Sequence, residues 1–217
     1  MSQSDLVYDA LNEAILSGRF RPGSKLSEPV IADEMRLSRA PVREAIRRLQ
    51  ERGMVTYAPN QGVRVISPTL DDYLSLLEVR ESLEGMACRM AAIAMTDVEL
   101  DELSQLVDAH GESLKRDPKG PYLQVNRDED FHVRIARASG NPVLVHLLCE
   151  DFYPRLKLCR LQHRSVPGRG LTAWKEHERI LAALQDRDSE VAELMMRRHV
   201  RSARAALLAA KSETATT

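Results

Sequence analysis

The sequence has few aromatic residues, few cysteines and no long apolar run. Because only 4% of the residues are Phe, Trp or Tyr, a core must be built mainly from aliphatic side chains, methionine and alanine, which suits helices. The most apolar run, 85–95, contains Arg89 and is too short to span a bilayer. The three cysteines show no CxxC spacing, and the N-terminus lacks the apolar segment of a secretion signal. We therefore expect a cytoplasmic protein with reduced, buried thiols.

Charge is balanced over the whole chain but unevenly distributed along it. The formal net charge is −1, yet residues 36–52 contain six arginines and only two glutamates. A local basic block in a neutral protein indicates a polyanionic partner at one surface. The alternative is a solvated helix face, which is the usual role of a charged run.

The first 66 residues carry the pattern of a winged helix-turn-helix. Apolar residues recur at helical spacing in three segments, of which the last two follow the N-cap candidates Ser27 and Ser38. Two β-rich runs, 54–57 and 62–66, then predict a hairpin. In such a unit the start of the third helix faces base edges, and the hairpin, or wing, reaches the neighbouring groove or backbone. The residues at these places are Ser38, Arg39, Ala40 and Arg43, Arg47 one turn later, and the wing from Asn60 to Arg64.

After a short linker at 67–69, the sequence is helical in period to its end. We expect helices over about 70–95, 96–116, 126–139, 143–163, 171–185 and 189–211. Six helices with short connections predict a bundle. The predicted fold is therefore mainly α, with a winged helix-turn-helix domain at 1–66 and an all-helical bundle domain at 70–217.

Polar residues of the helical half could form a metal site. Asp128 and His132 stand four apart in a predicted helix, so they would share one face. His177 and His199 fall on apolar rows of two later helices, and each is eleven residues from Asp188 at the turn between them. Because residues equidistant from the turn of an antiparallel pair lie side by side, we expect these histidines to meet in the core. The alternative is a pair of hydrogen-bonded core histidines.

A set of one carboxylate and three imidazoles suits several divalent metals. Zn²⁺ is the first candidate, and Ni²⁺, Mn²⁺ or Fe²⁺ would also fit, since ligand type alone does not choose among them. Four protein ligands could close a structural site or leave positions open for a further ligand.

The DNA-binding pattern is carried by residues 18–55, and most specifically by "SRAPVREAIRRL" within them. This stretch resembles the DNA-binding domain of the GntR family of bacterial transcription regulators. The resemblance implies DNA contacts at the positions of Arg39, Arg43 and Gly62, and a phosphate contact at Ser38.

The helical half carries the motifs "LEVRESLE" (77–84), "DEDFHVRIARASGNP" (128–142) and "EHERILAALQDRD" with a later "RRH" (176–199). These resemble the FCD effector domain of the FadR branch of the same family. The resemblance implies metal ligands at Asp128, His132, His177 and His199. It also implies an effector pocket, often for a small organic acid, lined by Arg80. The alternative for Arg80 is an ion pair with Glu84, four residues further along the helix.

Together these patterns predict a homodimeric, ligand-responsive transcription regulator that is not an enzyme. An organic acid at the metal would shift the helix packing and change the spacing of two DNA-reading heads on a pseudo-palindromic operator. Three alternatives remain. The first is a metal hydrolase with Glu129 or Glu176 as general base, although no nucleophile motif or phosphate loop supports it. The others are a regulator that senses the metal itself and a metal-free regulator with an organic pocket.

Overall fold

The computed structural model describes residues 1–58, 62–116, 130–163, 166 and 168–215, without the side chains of 212–215. Most of the described residues are helical, and a small antiparallel sheet lies near the N-terminus. The predicted fold class, a winged helix-turn-helix followed by a helical bundle, is confirmed.

The N-terminal part contains the expected helices and hairpin together with one unexpected strand. Its elements are α1 (Gln3–Leu16), β1 (Lys25–Leu26), α2 (Glu28–Glu34), α3 (Arg39–Glu51), β2 (Val55–Ala58) and β3 (Gly62–Val65). β3 is the central strand and pairs antiparallel with both β1 and β2. The sequence did not predict β1, because a strand of two residues is too short to show an alternating pattern. Ser27 and Ser38 lie at N-cap positions as expected, but neither side chain makes the capping hydrogen bond.

The second part consists of helices and one π-helical segment. Its helices are α4 (Leu70–Ala94), α5 (Asp97–Arg116), α6 (Phe131–Ala138), α7 (Pro142–Val145), α8 (Tyr153–Gln162), α9 (Arg169–Gln185) and α10 (Ser189–Ala215). The helix predicted over 143–163 is interrupted, because His146–Phe152 between α7 and α8 is π-helical. A pattern of apolar residues does not distinguish such a segment from a continuous α-helix.

The contacts of the chain define two compact units, 1–73 with 153–164 and 74–152 with 165–217. Helix α8 therefore belongs to the first unit, and its Leu158 is fully buried in the aliphatic core formed by α1, α2, α3 and the sheet. The units are grouped by contacts in space, whereas the linker expected at 67–69 is a boundary along the chain. That domain boundary stays a prediction.

The cysteines lie in the interior, as the sequence predicted. All three cysteines are buried and none forms a disulfide within the described part of the chain, and burial raises the pKa of Cys159 to about 11. None of the described helices is both long and apolar enough to cross a bilayer.

Candidate metal centre

Three histidines meet inside the second unit. His132 on α6, His177 on α9 and His199 on α10 are all buried, and one ring nitrogen of each lies within 4.8 Å of the others. The Nε2 atoms of His177 and His199 are 3.3 Å apart. The expectation that these two histidines meet because both are equidistant from Asp188 is therefore confirmed.

The turn between α9 and α10 fixes the register of this pair. The carboxylate of Asp188 accepts hydrogen bonds from the backbone N–H groups of Glu190 and Val191, at 3.2 and 3.0 Å, and so begins α10. Ile180 and Met196, each three residues from one of the two histidines along its helix, are fully buried. The position of the pair thus follows from local capping and an apolar interface.

His132 is positioned by the N-cap of α6. The Asp130 carboxylate accepts a hydrogen bond from the backbone N–H of His132 at 2.8 Å, and the helix begins at the residue between them. The helix predicted over 126–139 therefore begins later than expected, because Asp130 caps it. The α6 helix begins at Phe131 and contains His132. Asp128 lies outside the described residues, so its place in the site stays a prediction.

Two of the histidines are held at Nδ1 by a glutamate. Oε2 of Glu84 is 3.0 Å from Nδ1 of His132, and Oε2 of Glu176 is 2.7 Å from Nδ1 of His199. The contact of Glu176 is a hydrogen bond, and because a carboxylate can only accept, it favours a proton on Nδ1 of His199 and leaves the lone pair of Nε2 for a metal. The Glu84 contact is an ion-pair distance without hydrogen-bond geometry, and it places a carboxylate beside Nδ1 of His132. The sequence did not indicate this role for either glutamate.

Each of these glutamates is paired in turn with an arginine. Nε of Arg80 donates to Glu84, while Nη2 of Arg169 donates to Glu176 at 2.7 Å and to the backbone carbonyl of His199 at 3.3 Å. We call these two chains of contacts the supporting arms: Arg80–Glu84–His132 and Arg169–Glu176–His199. Nη2 of Arg80 and Nη1 of Arg169 are buried and have no hydrogen-bond partner among the described residues. The ion pair considered for Arg80 is thus present, but it leaves one guanidinium nitrogen available.

The pKa shifts of His177, His199 and Glu84 favour metal binding. Burial lowers the pKa of His199 to about 3, and burial together with the charges of His199 and His132 lowers the pKa of His177 well below its ordinary value. Burial by itself would raise the pKa of Glu84, but the charges of Arg80 and His132 bring it to about 2. Neutral imidazoles at His177 and His199 are the state that metal coordination requires. The residues therefore fit a divalent metal.

The candidate DNA-binding residues of α3 are exposed, as a surface for a polyanion requires. Exposed positions at the helix start and along its outer face are occupied by Ser38, Arg39, Ala40, Arg43 and Arg47. Nε of Arg43 is 3.3 Å from Glu28 on α2. Arg47 forms ion pairs with Glu44 and Glu51 of its own helix. Roles in DNA binding stay predictions for all five.

The wing positions differ from those of α3 in their surroundings. Gly62 has a φ of 79°, a left-handed conformation that other residues rarely adopt. Arg64 is half-buried, and its Nη1 donates to the backbone carbonyl of Gly23 at 2.8 Å. This bond leaves Arg64 less free than the α3 arginines to reach DNA. Asn60 lies outside the described residues.

Comparison with known protein families gives two matches that together span most of the chain. A model described as "Bacterial regulatory proteins, gntR family" matches residues 3–65, and the FCD domain model matches residues 75–202. The first contains the winged helix-turn-helix, and the second contains the described histidines and both supporting arms.

Individual relatives agree with these matches. The HTH-type transcriptional repressor NanR of Klebsiella aerogenes is 27% identical over 224 residues, covering 92% of this chain and 83% of its own. The Exu regulon transcriptional regulator of Escherichia coli is 29% identical over 209 residues, covering 88% of this chain and 78% of its own. The crystal structure of a GntR transcriptional regulator from Rhodococcus sp. RHA1 aligns with a TM-score of 0.80 and 26% identity, over 97% of this chain and 99% of that one. These relatives are transcription regulators and not enzymes.

Proposed function

Because the chain belongs to the GntR family of bacterial regulatory proteins and contains an FCD domain, it is a transcription regulator, and we propose that a metal-bound organic acid controls its binding to operator DNA. The observation that carries the proposal is the convergence of three buried histidines, two of which are supported at Nδ1 by glutamates. A pair of core histidines that merely share a proton would need neither a third imidazole nor these carboxylates.

His132, His177 and His199 would hold the metal, with Asp128 as the predicted fourth ligand. Zn²⁺ is the first candidate, and Ni²⁺, Mn²⁺ and Fe²⁺ are also compatible with imidazole and carboxylate ligands. A divalent metal with open coordination positions would supply a binding site for a carboxylate oxygen. The two glutamates would keep the imidazole rings oriented towards the ion.

Arg80 is the residue we assign to the effector. Its side chain is buried, its Nε is paired with Glu84, and its Nη2 has no partner among the described residues. A buried guanidinium nitrogen without an acceptor is unfavourable, and a carboxylate would satisfy it with a charge-assisted hydrogen bond. The ligand class is therefore a small organic acid.

DNA binding is assigned to α3 and the wing. Arg39 and Arg43 would contact base edges or phosphates, Ser38 a phosphate, and Ala40, Arg47, Gly62 and Arg64 the neighbouring groove or backbone. Two copies of the chain would read the half-sites of a pseudo-palindromic operator in the cytoplasm. An acid that binds one packing arrangement of the bundle better than another would then change the distance between the two heads.

Alanine substitutions of the histidines test the metal assignment. His177→Ala and His199→Ala should each abolish stoichiometric metal content, measured by elemental analysis of the purified protein, and should also abolish the effector response. His146→Ala is the matched control, because the His146 side chain is 63% exposed. Metal content that is unchanged in both core variants would remove the assignment.

The remaining alternatives are separated by ligand binding. Glu176 is bonded to Arg169 and to Nδ1 of His199, which is the wrong side of the ring for a general base at the metal, while Glu129 lies outside the described residues. A thermal-shift screen of organic acids, with and without chelator, distinguishes the regulators. Stabilisation by acids only in the metal-loaded protein supports the proposal. Stabilisation that survives chelation indicates a metal-free pocket, and a response of DNA binding to metal alone indicates a metal sensor.

A further inference from the structure

We infer that the effector carries two carboxylates and that Arg169 binds the second one. This inference rests on the proposed function, because it concerns the same site and assigns a further residue to it. Its basis is that both supporting arms end in an arginine with one buried, unpartnered nitrogen among the described residues. A ligand with a single carboxylate would satisfy only one of them.

Both guanidinium groups lie at the same level of the bundle. Ion pairs join α4 and α10 in antiparallel order: Arg89 with Glu193, Glu81 with Arg201, and Glu78 with Arg204. This register places Arg80 opposite Ser202, which is three residues, or less than one helical turn, from His199. Arg169 stands at the start of α9, but its guanidinium reaches the backbone carbonyl of His199 at 3.3 Å. The two arginines therefore occupy one layer of the bundle, next to the candidate metal ligands.

Each glutamate holds one edge of its arginine's guanidinium group, so only the other edge can bind a ligand. Arg80 is held through Nε and Arg169 through Nη2, so neither guanidinium can turn its remaining edge towards water without breaking its ion pair, which is buried for Arg80 and partly buried for Arg169. A planar guanidinium with one fixed edge and one available edge suits a carboxylate oxygen. Arg169 is thus a second anion-binding group of the same site.

Matched acids test this inference on the unmodified, metal-loaded, full-length protein. Succinate is compared with butyrate and glutarate with valerate, because the members of each pair have the same number of carbon atoms. Calorimetric titration should show each diacid binding at least about tenfold more tightly than its monoacid, the ratio expected for one additional charge-assisted hydrogen bond. Equal affinities within each pair would overturn the inference.

Substitution of Arg169 then tests whether this residue causes the preference for diacids. In Arg169→Gln the ratio of diacid to monoacid affinity should fall to about one, as expected for loss of one specific contact, whatever affinity for all acids is lost because Glu176 no longer has its arginine. Arg179→Gln, at an exposed position of the same helix, is the control and should keep the preference. Metal content is measured for both variants. An equal loss for mono- and diacids would overturn the inference, because Arg169 would then act only through Glu176.

A failure of the proposed function gives a different result. If no acid of either kind binds the metal-loaded protein, the effector proposal itself is wrong, and this inference is wrong with it. If monoacids bind in a metal-dependent manner but without a diacid preference, the proposed function stands and only the role of Arg169 is removed.

Discussion

The arginines of α3 and those of the supporting arms are held in opposite environments. Arg39, Arg43 and Arg47 are exposed, and the carboxylates paired with the last two are at least partly exposed. Arg80 is buried and Arg169 nearly so, and each is paired with a glutamate that holds a histidine. An exposed ion pair is screened by water and can exchange its carboxylate for a phosphate at little cost, whereas a buried pair cannot open without leaving a charge in the core.

This difference shows how function and stability are related in each region. On α3 the side chains assigned to DNA contribute little to the fold, so they can change without unfolding the protein. In the bundle centre the same ion pairs support the fold, orient the histidines and leave donors for an effector. Changes in the centre should therefore affect stability and binding together, while changes on α3 should affect binding alone.

The largest expected effect is the loss of a buried charge partner. Arg80→Met leaves the buried Glu84 carboxyl group without its guanidinium partner, so the metal-free protein should lose about 3–5 kcal/mol of unfolding free energy, measured by urea denaturation. The double variant Arg80→Met/Glu84→Leu should recover much of this loss, because no charge is left without a partner. Arg47→Met on α3 is the control and should not shift the denaturation midpoint. A similar shift for Arg47→Met and Arg80→Met would contradict the contrast between the two regions.

The next effect concerns the support of a metal ligand. Glu176→Gln replaces the carboxylate that accepts from Nδ1 of His199, and the affinity for metal should fall about 10–100-fold, as is usual for such supporting partners. Affinity is measured by competition with a chelator of known strength. Glu178→Gln is the control, since Glu178 is exposed on the same helix. Equal affinities of the two variants would mean that Glu176 does not orient the histidine.

The contacts of Glu84 and Glu176 with the histidines were the part of the site that the sequence did not predict, although it offered the ion pair of Arg80 with Glu84 as an alternative. His177 and His199 could be placed because their meeting depends only on helical period and the turn at Asp188. The position of Glu84 beside His132 depends instead on how α4 packs against α6, a contact between distant segments that no local pattern encodes. The start of α6 was also misjudged, because capping by Asp130 competes with an apolar periodicity that would allow a longer helix.

The place of α8 shows the same limit on a larger scale. Its sequence has helical period like the helices around it, yet Leu158 is buried in the core of the first unit. Periodicity identifies which face of a helix is apolar but not which core that face enters. The order of helices along the chain could therefore be predicted, whereas their grouping into compact units could not.

A smaller effect is expected on α3, and it should appear only in DNA binding. Arg43→Ala should weaken binding to the specific operator by about 1–3 kcal/mol if the guanidinium reads a base, with no change in the denaturation midpoint. Binding is measured by fluorescence anisotropy at a fixed salt concentration, on the operator and on random DNA of the same length. An equal loss on both DNAs would show that Arg43 contacts only phosphate.

The smallest effect tests whether the ion pairs of α3 are exchangeable. Glu44→Gln removes a carboxylate that lies 2.6 Å from Arg47, so this arginine is left with Glu51 as its charged partner among the described residues. If Arg47 then gains one phosphate contact, the slope of log affinity against log salt concentration should steepen by about 0.9. Glu34→Gln is the control, because Glu34 is exposed on α2 and faces Arg19 at 3.9 Å. An unchanged slope together with unchanged affinity would mean that Glu44 does not compete with DNA for Arg47. The replacement of a carboxylate by a phosphate, which we expect of exposed ion pairs, would then not occur at Arg47.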